Sequence, residues 1–282
     1  MWQNEERPTY EPVQVYSFDA FNTSNVVHVY GDEDAAEVFD AMHAEAERYE
    51  MLFSHTDPRS ALSQFNRLGG NLEDIDPELA ELIDLALAYS TATDGLFDPT
   101  CCGEGIVLGG IAKGYIADAL CDLLKQYGIK HGFVNLGGNV KVFGGKPGSG
   151  DKASPRPFII GLRVPQQYTL PGNAFAHVQL TDGAVVTSGI YERGIRLEDG
   201  SFSHHILDPR TGMPAETDIV STSLISETAL DGDGYTTALI VMGLERALDF
   251  VEALPGCEAV FVARDKTIHA TSGIGSSIPF TC

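Results

Sequence analysis

Hydrophobic positions recur at spacings of three to four residues in three segments of the chain, and each segment predicts an amphipathic helix. The first covers Asp34–Phe53, and the second begins at Pro77, with Asp76 as its expected N-cap. The third shows the pattern most clearly and should end at Gly128, because glycine readily takes the left-handed conformation that ends many helices. Its apolar face consists of Ile111, Tyr115, Ile116, Ala119, Leu120, Leu123, Leu124 and Tyr127.

Short apolar or β-branched runs predict strands around these helices. Val13–Phe18 and Val26–Tyr30 form a predicted hairpin with its turn at Asn22–Asn25, and a second hairpin is expected around Gly137 and Gly138. The second hairpin has its strands at Gly132–Leu136 and Val140–Phe143. The other predicted elements are a helix over about Tyr235–Glu252 and strands at Phe158–Val164, Ala174–Leu180, Ala184–Ser188, Ile195–Leu197, Ile219–Ile225, Ala259–Ala263 and Thr267–Thr271.

Strands and helices occur in blocks along the chain rather than in strict alternation. This order predicts an α+β fold with mixed or antiparallel sheets packed against helices, and it argues against a doubly wound sheet. Residues 144–157 have the glycine- and proline-rich composition of a linker, but we expect a surface loop here, within a single domain that spans residues 1–282. The strands of the second half should pack beside the third helix.

The charge of the chain narrows the classes of partner. Forty acidic residues stand against 18 lysines and arginines, so the formal net charge is −22 at pH 7. Such a charge repels phosphate backbones and anionic lipid headgroups, which argues against nucleic acid and membrane surfaces. No apolar run approaches the roughly 18 residues of a transmembrane helix. The polar start lacks a signal-peptide pattern, as expected of a cytosolic protein or of a chain without its export segment.

Five segments have glycine-rich or polar sequences that core formation does not explain. They are Leu108–Tyr115 (LGGIAKGY), Val134–Asn139 (VNLGGN), Val186–Arg193 (VTSGIYER), Ser203–Gly212 (SHHILDPRTG) and Gly232–Gly243 (GDGYTTALIVMG). Together with Ser54–Asn66 and Thr93–Thr100, they resemble the motifs of the ApbE family, the FAD:protein FMN transferases, in the same order. The resemblance covers roughly residues 15–255 and implies an ApbE-like, T-fold-like architecture.

The resemblance implies a Mg²⁺-dependent transferase that moves the FMN part of FAD to a Ser or Thr hydroxyl of a target protein and releases AMP. The glycine-rich turn Leu108–Gly114 opens a helix, where backbone N–H groups can face a phosphate. Lys113 and Arg210 are cations within motifs of an acidic chain. His205, close to Asp208, is the predicted acceptor for the hydroxyl proton, and the adjacent His204 is the competing assignment.

The resemblance also implies ligand contacts. The expected flavin contacts are Phe21, Leu96, Phe97, Asp98, Val107, Lys113 and Ile206. The expected metal ligands are the side chains of Asp233 and Thr237 and the carbonyl of Gly110. Asp233 and Thr237 are four positions apart, so they share one helix face, and their hard oxygen atoms suit Mg²⁺. The alternative is that Asp233 caps its own helix and that Thr237 bonds back to a carbonyl one turn earlier.

Several positions depart from the family pattern. Val107 stands where the family has Asp, and Thr56 stands where an aromatic residue is expected. Only six residues separate Thr100 from Val107, whereas the family has several dozen there. Lost polar contacts and a shorter pocket wall should weaken FAD binding. Two functions therefore remain: an active flavin transferase, or a non-transferring ApbE-like protein with an eroded FAD pocket that binds flavin or nucleotide, or serves as an interaction domain.

Overall fold

The structure, a computed structural model, describes residues 13–31, 34–70, 75–100, 103, 105–148, 154–163, 174–191, 195–196 and 202–281. The helices within these ranges are α1 (Ala36–Phe53), α2 (Ala61–Arg67), α3 (Pro77–Ala92), α4 (Ala112–Gln126), α5 (Ala229–Met242) and α6 (Leu244–Glu252). The strands are β1 (Val13–Ala20), β2 (Thr23–Tyr30), β3 (Gly132–Leu136), β4 (Asn139–Phe143), β5 (Phe158–Leu162), β6 (Ala176–Leu180), β7 (Gly183–Gly189), β8 (Ile195–Arg196), β9 (Phe202–Ser203), β10 (Leu207–Asp208), β11 (Met213–Pro214), β12 (Ile219–Ser226), β13 (Glu258–Ala263), β14 (Ile268–Ala270) and β15 (Phe280–Thr281).

An eight-stranded antiparallel sheet forms the centre of the fold, in the order β1-β2-β3-β4-β7-β12-β13-β14. Helices cover one face: α4 lies on β3 and β4, α5 on β7 and β12, and α6 on β13. The large core lies between this face and the helices. The predicted α+β class with antiparallel sheets and packed helices is confirmed.

The other face of the same sheet carries a second, smaller layer. The three-stranded sheet β15-β6-β5 packs there through a cluster to which the central sheet contributes Val142, Val185, Ile225 and Val260. The central sheet joins strands from before and after residues 144–157, and Lys146 and Arg156 form an antiparallel bridge across that segment. This arrangement favours the predicted surface loop, although residues 149–153 lie outside the described ranges. The single domain over residues 1–282 stays a prediction.

The N-terminal hairpin is present, but its turn is tighter than expected. β1 and β2 pair from Val13 with Tyr30 to Ala20 with Thr23, so the turn consists of Phe21 and Asn22 alone. Both residues have positive φ, 58° and 56°, as a two-residue hairpin turn that follows the twist of its strands requires. The predicted turn at Asn22–Asn25 is therefore wrong by a few residues, because its polar side chains belong to the start of β2.

Three expectations about helices need correction. The helix predicted over Tyr235–Glu252 is two helices, α5 and α6, because Gly243 has φ of 78° and ψ of 162° and interrupts the helical backbone. Helix α2 was not expected, since its seven residues bury only Leu62 and Phe65. Helix α4 packs on β3, β4 and α5, so the strands of the second half lie under α5 instead of beside α4. Among the described residues, no helix combines the length and apolarity needed to cross a bilayer.

Candidate functional site

The N-terminus of α4 is completed by a side chain from α5. The N-cap residue of α4, Ile111, offers no side-chain acceptor, and the N–H of Gly114 donates to Oδ2 of Asp233 at 2.7 Å. The Nζ atom of Lys113 lies 3.8 Å from the same oxygen. Asp233 is only 5% exposed, so its carboxylate is held between a lysine and the positive end of a helix dipole. Both partners of this buried carboxylate therefore belong to the first turn of α4.

Helix α4 in turn supplies a carboxylate to the N-terminus of α5. The two carboxylate oxygens of Asp118 accept the N–H groups of Ala229 and Leu230 at 3.0 and 2.9 Å, which are the first two residues of α5. The Nζ atom of Lys141 on β4 lies 3.3 Å from Asp118. Burial raises the pKa of Asp118, and the N–H bonds and the lysine oppose that shift. Each helix therefore supplies a carboxylate to the N-terminus of the other.

Glycines permit this close approach. A Cβ atom at Gly114 would lie 2.3 Å from the carbonyl oxygen of Ala229, and one at Gly232 would lie 2.3 Å from a methyl group of Val186 on β7. Real Cβ atoms do not come so close to other heavy atoms, so only glycine fits at either position. The glycines of the LGGIAKG and GDG segments that lie in helices thus have a packing role that is independent of any ligand.

The expected metal ligands on α5 have unsatisfied oxygen atoms. Thr228 caps α5, and Asp233 lies in the second turn, so the alternative in which Asp233 caps its own helix is wrong. Among the carbonyls that the structure describes, none accepts a bond from Thr237, whereas the hydroxyl of Thr91 donates to the carbonyl of Leu87 at 3.0 Å. Within the described ranges, neither Oδ1 of Asp233 nor the hydroxyl of Thr237 has a hydrogen-bond partner.

The turn before α4 carries further free donors and lies against the Leu96–Asp98 segment. Among the residues that the structure describes, the N–H groups of Gly109, Gly110 and Lys113 donate no backbone hydrogen bond. A Cβ atom on Gly110 would be 3.1 Å from the ring of Phe97, so the two segments are in contact. Leu96 and Phe97 are buried in the large core. Half-buried Asp98 accepts the N–H and hydroxyl of Thr100.

Two contacts hold the described residues on either side of the shortened segment before Val107. The N–H of Val107 donates to the carbonyl of Pro99 at 2.7 Å. The side chain of Asn66, at the end of α2, donates to the carbonyl of Ile106 and accepts its N–H, at 2.8 and 2.9 Å. The bond to Pro99 places the backbone of Val107 directly after the Leu96–Asp98 turn, and Val107 supplies an apolar side chain where the family pattern has a carboxylate.

Phe21 lies in a separate loop from these groups. Its N–H donates to Oε1 of Glu50 on α1 at 2.7 Å, which fixes the left-handed turn described above. A shallow groove of about 500 Å³ runs beside this turn and is lined by Asp19, Ala20, Asn22, Thr23, Ser24 and Glu50. The groove offers oxygen atoms and no basic side chain, so it is a poor site for a phosphate.

The histidine loop lies between β9 and β10. His204 is buried, and burial lowers its pKa, whereas His205 is exposed. Ile206 anchors the loop in the large core, and its carbonyl accepts the N–H of Ala215 at 3.0 Å. An exposed imidazole can reach a second protein, which favours His205 over His204 as the proton acceptor.

Arg210 does not offer a free cation in this loop. Its Nε and terminal nitrogen bond the two carboxylate oxygens of Asp208 at 2.8 and 2.6 Å. The Arg210 guanidinium also lowers the pKa of Asp208. The same arrangement joins Arg59 to Asp57. Both aspartate-proline-arginine sequences therefore form self-contained turns, and Lys113 is the motif cation that stands beside the expected ligands.

Sequence comparison decides the family. The family model described as the ApbE family matches residues 21–105 and 103–261. The chain belongs to the ApbE family. The two matched parts of the ApbE model meet at residues 103–105, inside the shortened segment before Val107. The resemblance inferred from the motifs is confirmed.

Curated ApbE relatives carry the name FAD:protein FMN transferase. The chain is 29% identical to the protein of Treponema pallidum, and the match covers 88% of this chain and 84% of the relative. It is 34% identical to a Klebsiella pneumoniae protein, over 70% of this chain and 59% of the relative. The Salmonella typhimurium relative is 34% identical over 51% of this chain and 39% of its own length. The chain thus spans most of the Treponema pallidum relative but less than two thirds of the other two.

Solved ApbE structures share the fold. The ApbE protein of Thermotoga maritima superimposes with a TM-score of 0.81 at 27% identity, covering 93% of this chain and 97% of that one. The flavin transferase ApbE of Vibrio cholerae gives a TM-score of 0.76 at 21% identity and also covers 93% of this chain, with 98% of its own. The ApbE-like architecture expected from the motifs is confirmed.

Sequence reasoning missed the residues that support the site. Asp118 accepts the first N–H groups of α5, Asn66 bonds Ile106 next to Val107, and the hydroxyl of Ser188 is 2.8 Å from that of Thr236 on α5. Asp118 is 111 positions from Ala229, and Asn66 is 40 positions from Ile106. A single sequence contains no signal for such pairings. Ser188 belongs to the VTSGIYER segment, which was noted, but residues 192–194 of that segment lie outside the described ranges.

Proposed function

We propose that the protein transfers the FMN part of FAD to a Ser or Thr hydroxyl of a target protein, with Mg²⁺ bound, and releases AMP. The observation that carries this proposal is the pair of unsatisfied oxygens, Oδ1 of Asp233 and the hydroxyl of Thr237, on one face of α5 beside Lys113. The names of the curated relatives support the same activity. The net charge of −22 supports a target that is not nucleic acid.

The donor set fits a magnesium ion. A carboxylate, a hydroxyl and the carbonyl of Gly110 are hard oxygen ligands, and Mg²⁺ usually completes its shell with water and substrate phosphate oxygens. A bound divalent cation would reduce the negative charge of the pyrophosphate and of the developing phosphate leaving group. The described residues contain no cluster of three or more His, Cys, Asp and Glu side chains, so the proposed site relies on one carboxylate with a hydroxyl and a carbonyl.

The phosphates of FAD would lie at the start of α4. The N–H groups of Gly109, Gly110 and Lys113 have no other backbone partner in the described part of the chain, and they lie at the positive end of the helix dipole. The Lys113 ammonium adds a positive charge at the same place. Phe97 lies against this turn at Gly110, and the flavin half would contact the Leu96–Asp98 segment and Val107, with Phe21 and Ile206 contributing from their own loops.

In the transfer step His205 would act as the base. The acceptor hydroxyl of the target loses its proton to the imidazole, and its oxygen forms a new bond to the phosphorus of the FMN half. The bond from that phosphorus to the bridging oxygen breaks, and AMP leaves with the electron pair. An exposed histidine suits this role because the acceptor belongs to a separate protein.

The decisive experiment combines the full chain with FAD, MgCl₂ and a peptide that carries an acceptor threonine. We expect a fluorescent FMN-peptide and AMP in equal amounts, and no product with EDTA. His177 on β6 is also exposed, so His177→Ala is a matched control that should keep full activity beside an inactive His205→Ala.

One observation favours the non-transferring alternative, namely the apolar side chain of Val107 at the Leu96–Asp98 turn. FAD binding without any FMN-peptide or AMP, in the presence of a peptide that a related transferase modifies, would establish that alternative. Absence of FAD binding at every Mg²⁺ concentration would contradict the transferase and a flavin-binding role, and would leave only the nucleotide-binding or interaction form of the alternative.

A further inference from the structure

Hydroxyl groups lie at the contact between α5 and the central sheet. The Oγ atom of Ser188 on β7 is 2.8 Å from Oγ1 of Thr236 on α5, and Thr236 is fully buried. Thr222 on β12 lies directly opposite Ser188 and is also fully buried. Its Oγ1 atom has no hydrogen-bond partner in the described ranges. Burying hydroxyls costs free energy that apolar side chains would avoid, so packing alone does not explain this polar layer.

The geometry of α5 relates this layer to the proposed metal ligands. Successive residues of an α-helix are rotated by about 100°, so Asp233 and Thr237 lie about 60° and 100° to the same side of Thr236. Fixing the side chain of Thr236 against the sheet therefore fixes the direction in which both ligands project. Gly232 brings α5 close enough to β7 for a direct hydroxyl–hydroxyl bond.

We propose that the Ser188–Thr236 hydrogen bond is a positioning contact that sets the rotation of α5, so that Asp233 and Thr237 reach one Mg²⁺ ion together. This inference rests on the proposed function. A rotation of about 20° would move a side-chain atom that is about 5 Å from the helix axis by about 2 Å. That displacement is about as large as the length of a Mg–O bond, about 2.1 Å. Mg²⁺ tolerates little departure from octahedral geometry.

The same two strands contain a matched control. Thr187 and Ser223 are the neighbours of Ser188 and Thr222, and their hydroxyl oxygens are 2.7 Å apart. Because side chains alternate along a strand, this pair lies on the opposite face of the sheet from α5. Removing the Thr187–Ser223 bond should therefore cost similar stability without changing the rotation of α5.

The test measures FAD binding by flavin fluorescence as MgCl₂ is added to the full chain. We expect Ser188→Ala and Thr236→Val to raise the MgCl₂ concentration at half-saturation by about tenfold, the usual effect of losing a contact behind a metal ligand. Ser188→Thr keeps the hydroxyl and should stay within about twofold of the wild type, as should the control Ser223→Ala. Urea midpoints should fall similarly in Ser188→Ala and Ser223→Ala.

Three outcomes would overturn the inference. Unchanged half-saturation in Ser188→Ala and Thr236→Val, or an equal shift in Ser223→Ala, would show that the bond is only structural and would leave the proposed function intact. FAD binding by the wild type that ignores both MgCl₂ and EDTA would instead contradict the proposed metal site, and the positioning role would fall with it.

Discussion

Replacing Gly114 by alanine should destabilise the protein even though alanine is the better helix former. In an exposed helix the substitution would add up to about 1 kcal/mol of stability. Here the new Cβ would lie 2.3 Å from the carbonyl oxygen of Ala229 and 2.9 Å from Cα of Leu230. A carbon–oxygen contact needs about 3.3 Å, so the start of α5 must move by about 1 Å.

The cost of that movement has two parts. Overpacking of a well-packed contact costs about 1–3 kcal/mol. The shift also stretches the Gly114–Asp233 bond and the bonds from Ala229 and Leu230 to Asp118, and a hydrogen bond to a charged group contributes about 1.5–3 kcal/mol. Since these bonds are weakened rather than lost, and since the helix propensity offsets about 1 kcal/mol, we expect a net loss of about 2–3 kcal/mol.

The assay is urea unfolding followed by circular dichroism, with Gly109→Ala as the control. Gly109 precedes the same helix, and a Cβ there would meet nothing within 4 Å, so its substitution should change the unfolding free energy by less than about 0.5 kcal/mol. Gly114→Ala should also lose Mg²⁺-dependent FAD binding, because Asp233 moves with α5. Equal stabilities of the wild type and Gly114→Ala would refute the steric reasoning.

Four further predictions concern single side chains. Val107→Asp should tighten FAD binding about tenfold or more, since one regained polar contact contributes about 1–3 kcal/mol, as flavin fluorescence would measure. His205→Ala should abolish transfer and leave FAD affinity nearly unchanged, because a proton acceptor acts in the chemical step. Asp233→Ala should remove Mg²⁺-dependent FAD binding at a stability cost of about 1.5–3 kcal/mol, because the buried N–H of Gly114 loses a charged acceptor. Burial lowers the pKa of His204, so the unfolding free energy should fall as the pH drops below about 6.5, and His204→Asn should reduce that fall.

Each of these has an outcome that would count against it. Equal or weaker FAD binding in Val107→Asp would show that no carboxylate contact is missing. A His205→Ala protein that melts earlier but keeps its activity per folded molecule would make the histidine a structural residue. FAD binding that ignores the loss of Asp233 would remove the metal site. If the free energy of unfolding fell equally with decreasing pH in His204→Asn and the wild type, the pH dependence would come from carboxylates instead of His204.

The sequence pattern predicted elements whose core-facing residues repeat over several turns. Helix α4 is present and Gly128 ends it with φ of 84°, although Tyr127 lies past the helix and is 43% exposed. Asp76 caps α3 as expected, with its carboxylate accepting the N–H of Glu78 at 2.9 Å. The break at Gly243 could not be predicted, because apolar residues continue on both sides of it and only the backbone conformation differs.

In the site, too, the sequence predicted which residues share a helix face but not how the helices meet. The four-residue spacing predicted that Asp233 and Thr237 share one helix face, and both lie on α5, while Lys113 lies on α4; their roles as ligands and flavin contact stay predictions. The pairing of Asp233 with the N–H of Gly114 could not be predicted, because it depends on how α4 and α5 meet. That meeting is determined by the backbone contact at Gly114, and a glycine gives no indication of its partner 115 positions away.

Helices α4 and α5 each supply a carboxylate to the N-terminus of the other, so this region takes its native form only when both parts of the chain have folded. Its bonds join residues 111 to 119 positions apart, and contacts so distant in sequence form only after much of the chain has been ordered. A ligand that bridges the two helix starts would bind only the folded chain and would raise its stability by mass action. If the chain were split within residues 144–157, each part would contain one of the two helices. Each part would lack the aspartate that accepts N–H groups at the start of its helix. The parts should then recover binding only after β4 has paired with β7 across the cut.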